Sequence, residues 1–240
     1  MLFDDERLDD LQCGGLKIIQ NKTGYSFTMD SVLLANFLKA RALDRVADLG
    51  SGSGIVSILA SAKTRAREFV CIELQSALCD MSMRSIELNK LTDRIKVINA
   101  DLKCISSVQV GIFDVVVSNP PYYVSNASST GDERSKARTD VCATLNDVIS
   151  DAQRILKYGG DFYLIIKADR VVDCLHFMRE NRIEPKLIVP VQPTPQKCID
   201  TLLIKGRHGG KPGLILKKPL LVFESDGSYS KELRDIYEKH

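Results

Sequence analysis

From Arg45 to Lys167 the chain alternates short β-branched runs with stretches whose apolar residues recur at helical spacing. This alternation is the strongest constraint on its fold. "DRVADLG", "EFVCIE", "RIKVINAD", "FDVVVSN" and "DFYLIIK" read as strands. "GIVSILASAK", "LQSALCDMSMRSIELNK" and "TLNDVISDAQRILKYGG" read as helices among them, the last expected to end at its glycines. Strands separated by helices pair through crossovers, so the pattern predicts an α/β fold whose mostly parallel sheet is covered on both faces. A further helix, "RVVDCLHFMREN", precedes "PKLIVPVQ" and "CIDTLLIKG". A short proline-containing turn separates that last pair, which should therefore close the sheet antiparallel.

The flanks are shorter. "LKIIQNKTGYSFT" reads as a hairpin turning at Asn21 to Gly24, followed by a helix in "MDSVLLANFLKAR" capped by Asp30 or Ser31. The expected organisation is residues 1–43 as a hairpin and helix over a ligand site, 44–206 as the core, and 207–240 as an extension of the same domain. That extension carries a strand, an Asp-Gly turn and a short helix. "MLFDDERLDD" is acidic and lacks the basic-then-apolar pattern of a secretory leader. No apolar run approaches the roughly 18 residues of a membrane span. A cytoplasmic location is expected. Seven cysteines (Cys13, Cys71, Cys79, Cys104, Cys142, Cys174, Cys198) form no C-x-x-C pair, so buried reduced thiols are expected and no metal. With 33 basic and 31 acidic residues, total charge neither demands nor excludes nucleic acid.

"ADLGSGSGIVSIL" places Gly50, Gly52 and Gly54 between the first strand of the alternation and its helix. Glycines there allow a tight turn and close approach of a ligand to backbone amides. The spacing is G-x-G-x-G, whereas a dinucleotide pyrophosphate is seated by G-x-G-x-x-G. An acid, Asp48, stands two residues before the loop, which suits a cationic ligand. S-adenosylmethionine, with its sulfonium and ammonium groups, fits. Glu73 closes the second strand, where a carboxylate can accept bonds from two ribose hydroxyls. Asp101 closes the third, within reach of an adenine amine, with Leu102 beside the ring. Each acid alone is an ordinary solvated strand end. Together they occupy the edge where open α/β sheets bind ligands.

The fourth strand runs into "SNPPYY". An exocyclic amine conjugated to a ring is a poor nucleophile because its lone pair is delocalised. The side-chain carbonyl of Asn119 and the backbone carbonyl of Pro120 can each accept one of its hydrogens and free that lone pair. Pro121 stiffens the turn, and Tyr122 can stack on the planar acceptor. Such catalysis works through positioning and electrostatics. The bland alternative is a rigid turn after a core strand.

Glycine loop and Asn-Pro-Pro-Tyr together resemble the S-adenosylmethionine-dependent N/D-P-P-Y/F/W amino-methyltransferases. The resemblance implies a Rossmann-like class I methyltransferase with a seven-stranded, mostly parallel sheet, an antiparallel last strand and a short C-terminal extension. It also implies transfer to a nitrogen of adenine, cytosine, guanine or glutamine, with Asn119 touching both cofactor and acceptor. "GYSFTMDSVLLANF" resembles the segment before the glycine loop in bacterial tRNA1(Val) adenine-N6 methyltransferases, placing Thr28 and Asp30 near the cofactor's methionine end. "SNASSTGDERSKARTDVCATLNDVI" resembles that family's polar loop, with Thr139 where relatives usually carry histidine. "KPGLILKKPLLVFESDGSYSKELRDIY" resembles its tail, with Lys218 where relatives often carry proline. The resemblance implies adenine 37 of tRNA1(Val) as acceptor. Arg134, Lys136 and Arg138 in the loop, and Lys205, Arg207, His208, Lys211, Lys217 and Lys218 towards the tail, could hold phosphates while an unstacked base enters. Release-factor glutamine methyltransferases share both motifs but usually carry a helical domain ahead of the core. Ribosomal-RNA guanine methyltransferases, a catalytically silent binding protein and a nicotinamide-dependent oxidoreductase are the other readings.

Overall fold

Val46, Ala47 and Leu49 are fully buried, as are Val115, Val116 and Val117, because strands in the middle of a parallel sheet have no solvent face. The computed structural model describes residues 2–22, 28–105, 107–120 and 144–238. In chain order these form β1 (Glu6–Asp10), β2 (Lys17–Asn21), α1 (Met29–Phe37), β3 (Arg45–Leu49), α2 (Ile55–Lys63) and β4 (Glu68–Glu73). Then come α3 (Ser76–Leu88), β5 (Ile95–Asn99), α4 (Ser107–Val110), β6 (Phe113–Ser118), α5 (Leu145–Ile155) and β7 (Leu156–Lys167). The chain closes with α6 (Val171–Glu180), β8 (Ile183–Gln192), β9 (Thr201–His208), β10 (Ile215–Leu216), β11 (Leu220–Leu221) and α7 (Lys231–Glu238).

The main sheet runs β10-β8-β9-β7-β6-β3-β4-β5, and β11 also pairs with β8. All its pairings are parallel except those of β9, which lies antiparallel between β7 and β8. Two apolar layers fill its faces. One combines Val46, Val115, Val117 and Ile165 with Leu33 and Leu34 of α1, Ile58 and Leu59 of α2, and Leu233 and Ile236 of α7. The other combines Ala47, Leu49, Val116, Phe162 and Leu164 with Ile149 and Ala152 of α5 and Cys174 and Met178 of α6. Alternate residues of each central strand thus serve opposite layers, as the two-residue strand period requires.

Four local expectations need correction. β2 pairs antiparallel with the upstream β1, from Glu6↔Asn21 to Asp10↔Lys17, rather than turning at Asn21 to Gly24 into the following segment. Residues 23–27 of that proposed second segment lie outside the described residues. α1 starts at Met29 with Thr28, not Asp30 or Ser31, as its N-cap. α5 ends at Ile155, because Leu156 is already extended and pairs with Phe113 of β6. Gly159 and Gly160 instead lie in a bulge where β7 shifts register between the Phe113 and Val115 pairings. A Cβ at Gly160 would fall 2.8 Å from the Asp114 and Lys157 carbonyl oxygens. Cys104 and Cys198 are exposed, unlike Cys13, Cys71, Cys79 and Cys174. Cys142 lies outside the described residues.

The β1–β2 hairpin docks on α3. Arg84 grips Glu6 through both carboxylate oxygens, at 2.5 and 2.7 Å, and reaches Asp80 at 2.7 Å. Ile19 N donates to Ser85 Oγ at 3.0 Å. No helix among the described residues is long and apolar enough to cross a membrane.

Candidate active site

The carboxyl ends of β5, β4, β3, β6 and β7 follow one another along one edge of the sheet. The register aligns Leu49 with Ile72 and with Ser118, and Glu73 with Asn99. Every candidate that sequence assigned to a strand end therefore comes to this edge, in sheet order rather than chain order.

Gly50, Gly52 and Gly54 all have positive φ, at 65°, 57° and 80°. This is the left-handed region that only glycine enters at little cost. Gly50 N and Ser51 N both donate to Ile72 O, at 2.9 and 3.2 Å, which hangs the loop from β4. A Cβ at Gly50 would meet no atom within 4 Å, so open space lies against that backbone. At Gly54, where α2 starts, a Cβ would run into Ser82 Oγ of α3.

Glu73 is 6 % exposed, and its two oxygens accept separate backbone amides, Gly52 N and Gln75 N, each at 2.9 Å. It braces the glycine loop and keeps lone pairs for further donors, since an ionised carboxylate offers about four acceptor sites. Asp48 lies beneath the loop rather than at its mouth, 1 % exposed, with Ser57 Oγ donating to its Oδ2 at 2.9 Å. Burial pushes its carboxyl up to about 7, against the pull of the Ser57 bonds, and the charge of Glu73 adds to the rise. Asp101 stands two residues beyond the end of β5, its Oδ1 accepting Lys103 N at 3.0 Å. Leu102 beside it is buried. Arg154 of α5 donates to the Leu102 carbonyl at 3.1 Å and pairs with Asp151, whose burial pushes its carboxyl up to about 6.

Asn119 follows the last residue of β6 and is half-buried; Pro120 is buried. Ser118 Oγ donates to Leu49 O at 2.8 Å, tying the end of β6 to the strand that leads into the glycine loop. Asn119 Nδ2 donates to Ser31 Oγ of α1 at 3.1 Å. Thr28 is exposed at the start of the same helix, and Asp30 faces Lys167 at 3.7 Å, which also donates to Thr201 Oγ1 at 2.9 Å. Pro121, Tyr122, Arg134, Lys136, Arg138, Thr139 and Asp140 lie outside the described residues.

The basic positions towards the tail do not gather at this edge. β9 runs antiparallel, so Thr201 pairs with Lys167 at the site edge while Arg207 pairs with Asp161 at the other end. Six residues of strand separate those pairings, about 20 Å. Arg207 is held there by both Asp161 oxygens, at 2.9 and 3.2 Å, and Lys205 reaches Asp161 at 2.8 Å. His208 Nδ1 lies 3.0 Å from Leu156 O, and the Lys211 carbonyl accepts Lys186 Nζ at 3.0 Å. Lys217 and Lys218 are exposed along the outer edge of β8, where Lys217 N donates to Ile188 O.

Two contacts escaped the sequence reading. Gln20 of β2 is fully buried and donates to Ser53 Oγ of the glycine loop at 3.4 Å, so the hairpin touches the loop directly. Ser31, read only as a cap, reaches Asn119. Neither has a local sequence signal, because each depends on segments 33 and 88 residues apart.

Solved structures share this architecture. A predicted O-methyltransferase of Agrobacterium tumefaciens superposes with a TM-score of 0.71 at 24% identity, covering 87% of this chain and 95% of that one. The geranyl diphosphate C-methyltransferase of Streptomyces coelicolor, solved with S-adenosyl-L-homocysteine, gives 0.53 at 15% identity over 75% and 79%. Among curated proteins, the tRNA1(Val) (adenine(37)-N6)-methyltransferase of Bacteroides thetaiotaomicron is 27% identical over 214 residues, 86% of each chain. Its namesake from Dickeya chrysanthemi is 23% identical over 217 residues, 87% of this chain and 86% of that one. The family model of the methyltransferase small domain matches residues 26–181, which take in the glycine loop, Glu73 and Asn119. With the Rossmann-like sheet beneath those residues, that match makes the chain a member of the methyltransferase small domain family.

Proposed function

We propose that this chain is an S-adenosylmethionine-dependent methyltransferase that acts in the cytoplasm on the exocyclic N6 of an adenine in tRNA. The acceptor is the adenine at position 37 of a valine tRNA. One observation carries the reading: Asn119 stands on the same sheet edge as the glycine loop, tied to it through Ser118 and Leu49. An amine held by Asn119 is therefore neighbour to whatever lies on Gly50. The names of the curated relatives support the acceptor.

The residues present fit the cofactor. Gly50 leaves its backbone open to a close ligand, and Glu73 keeps acceptor capacity for ribose hydroxyls while bracing Gly52. Asp101 and Leu102 supply an acceptor and an apolar wall for a base, positioned by Arg154. Asp48 acts from beneath the loop, where a positive charge above it favours its ionised form. Thr28, exposed at the start of α1, is the proposed contact for the methionine end. When bound, the cofactor supplies an electrophilic methyl group on its sulfonium.

The chain supplies the rest. Asn119 Oδ1 and the Pro120 carbonyl accept the two amine hydrogens, which concentrates the nitrogen lone pair on the face turned to the donor. Tyr122 stacks on the base and holds the nitrogen in line. With the cofactor bound, the methyl would pass from its sulfonium to the nitrogen that Asn119 and the Pro120 carbonyl orient, leaving the thioether, and the amine proton would pass to solvent. In this reading Arg134, Lys136 and Arg138 supply phosphate contacts to the RNA, with Lys217 and Lys218 as a second contact line. Arg207, at the opposite edge, is held by Asp161 and serves the fold.

The test is transfer of labelled methyl to unmodified tRNA, with release factor and ribosomal RNA as competitors and Asn119→Ala as control. N6-methyladenine in one valine tRNA, with a turnover loss in the variant of roughly 10²-fold or more, is expected. Label on release factor alone would overturn the adenine assignment.

A further inference from the structure

The carboxamide of Asn119 has two ends of nearly the same shape and opposite chemistry. Its oxygen accepts hydrogen bonds and its NH2 group donates them. Only the oxygen end can draw hydrogens from an acceptor amine; the NH2 end would set donor against donor. The group works only if it is held the right way round.

Ser31 is placed to hold it. Its Oγ lies 3.1 Å from Asn119 Nδ2 and accepts from it, across 88 residues of sequence. Ser31 is 1 % exposed, so solvent does not compete for that bond. Its carrier is rigid: Ser31 is in the first turn of α1, its amide bonded to Thr28 O at 3.1 Å, and the next four residues, Val32 to Ala35, are buried in the core. Asn119 is fastened at its other end, because the hydroxyl of the preceding Ser118 holds Leu49 O. A hydrogen bond of 3.1 Å between two fixed elements restrains the rotor, and with the hydroxyl accepting it leaves the oxygen end free for the amine. We infer that Ser31 is a positioning residue that turns the Asn119 carbonyl oxygen towards the acceptor amine. The inference rests on the methyl-transfer reading above, and it assigns α1 a part in turnover as well as in the fold.

Ser31→Ala removes the acceptor and leaves the helix and its packing. Turnover should fall between about 10-fold and 10²-fold, as for a reacting group displaced by about an ångström. Affinity for S-adenosylhomocysteine, measured by calorimetry, should stay within twofold of the parent. Ser31→Thr, which keeps a hydroxyl, should recover most of the loss. In an Asn119→Ala background, Ser31→Ala should add nothing, since no rotor remains to hold. The readout that needs no acceptor is the side-chain amide NMR signal of Asn119, assigned by its absence in Asn119→Ala. In Ser31→Ala one of its protons should move towards the position of a solvent-exposed asparagine.

An unmoved Asn119 signal, or a full additional loss in the Asn119→Ala background, would overturn the inference. A parent protein that methylates a release-factor glutamine instead of tRNA is a failure of the adenine reading only. The same variants then run on that acceptor, whose amide nitrogen needs the same oxygen turned towards it.

Discussion

Gly54 gives the sharpest test of how the glycine loop is held. Its φ of 80° requires the left-handed region, and a Cβ built there would overlap Ser82 Oγ of α3, with Ser82 Cβ at 3.4 Å and Cys71 Sγ at 3.9 Å. Gly54→Ala therefore carries two separable costs. The backbone cost of a left-handed alanine is about 1–2 kcal/mol. The overlap forces a fully buried serine to move and costs about 1–3 kcal/mol more, as overpacked cores do. Ser82 Oγ has no hydrogen-bond partner among the described residues, so Ser82→Ala alone should change stability by less than about 1 kcal/mol. Combined with Gly54→Ala it removes the overlapping oxygen and leaves the backbone cost. The expected losses are thus about 2–5 kcal/mol for Gly54→Ala and about 1–2 kcal/mol for the double variant. The coupling between the two sites is then about 1–3 kcal/mol. Urea unfolding of the four proteins, with m unchanged, measures all three terms. A double variant as unstable as the two single losses added together would refute the contact. A Gly54→Ala loss below about 0.5 kcal/mol would refute the backbone argument as well.

Two further outcomes follow from neighbouring residues. Glu73→Gln keeps one acceptor oxygen where two backbone amides are bound, so the loop loses a brace; S-adenosylhomocysteine affinity should fall about tenfold, one hydrogen bond's worth, by calorimetry. Unchanged affinity would show that the brace is dispensable. Asp48, raised from 3.8 to about 7, holds its proton in the folded state over a range where the unfolded chain has lost it. Its contribution to stability is level below pH 4, falls by up to about 1.4 kcal/mol per pH unit as pH rises towards 7, and is level again above. Asp48→Asn, whose amide oxygen can still accept the Ser57 hydroxyl, should be free of that fall. The stability difference between variant and parent should therefore widen from pH 4 to 7, and parallel curves would exclude a buried protonated Asp48.

The parallel sheet, the glycine loop and the strand-end acids were legible because each rests on local pattern: β-branched runs, helical spacing, and a residue's distance from its own strand. What failed were matters of partnership. "LKIIQ" carries every hairpin signal, yet its partner was the acidic "ERLDD", which has no apolar alternation and is held by Arg84 gripping Glu6. The glycines after "QRILKY" have the composition of a helix stop, but Leu156 was claimed first by Phe113 of the neighbouring strand. The basic residues of β9 suggested a nucleic-acid face because composition does not show at which end of the sheet, or against which partner, a side chain comes to lie. Once β9 runs antiparallel, Arg207 is carried to the far end of the sheet and into its pairing with Asp161. At the site, Asn119 announced itself and Ser31 did not, since a serine near a helix start reads as a cap.

The insertion of β9 between β7 and β8 has a consequence for synthesis on the ribosome. Strand β8 ends at Gln192, while the strand that joins it to the sheet is complete only at His208, sixteen residues later. At about 5–20 residues per second, β8 waits about one to three seconds with both edges open. "IEPKLIVPVQ" is apolar enough to pair with the wrong chain in that interval. Pro185 and Pro190 deprive it of two amide donors along its length, and Lys186 adds a charge between them. These residues make the waiting strand a poor template for a stranger, until β9 fills one side and the late β10 and β11 close the other.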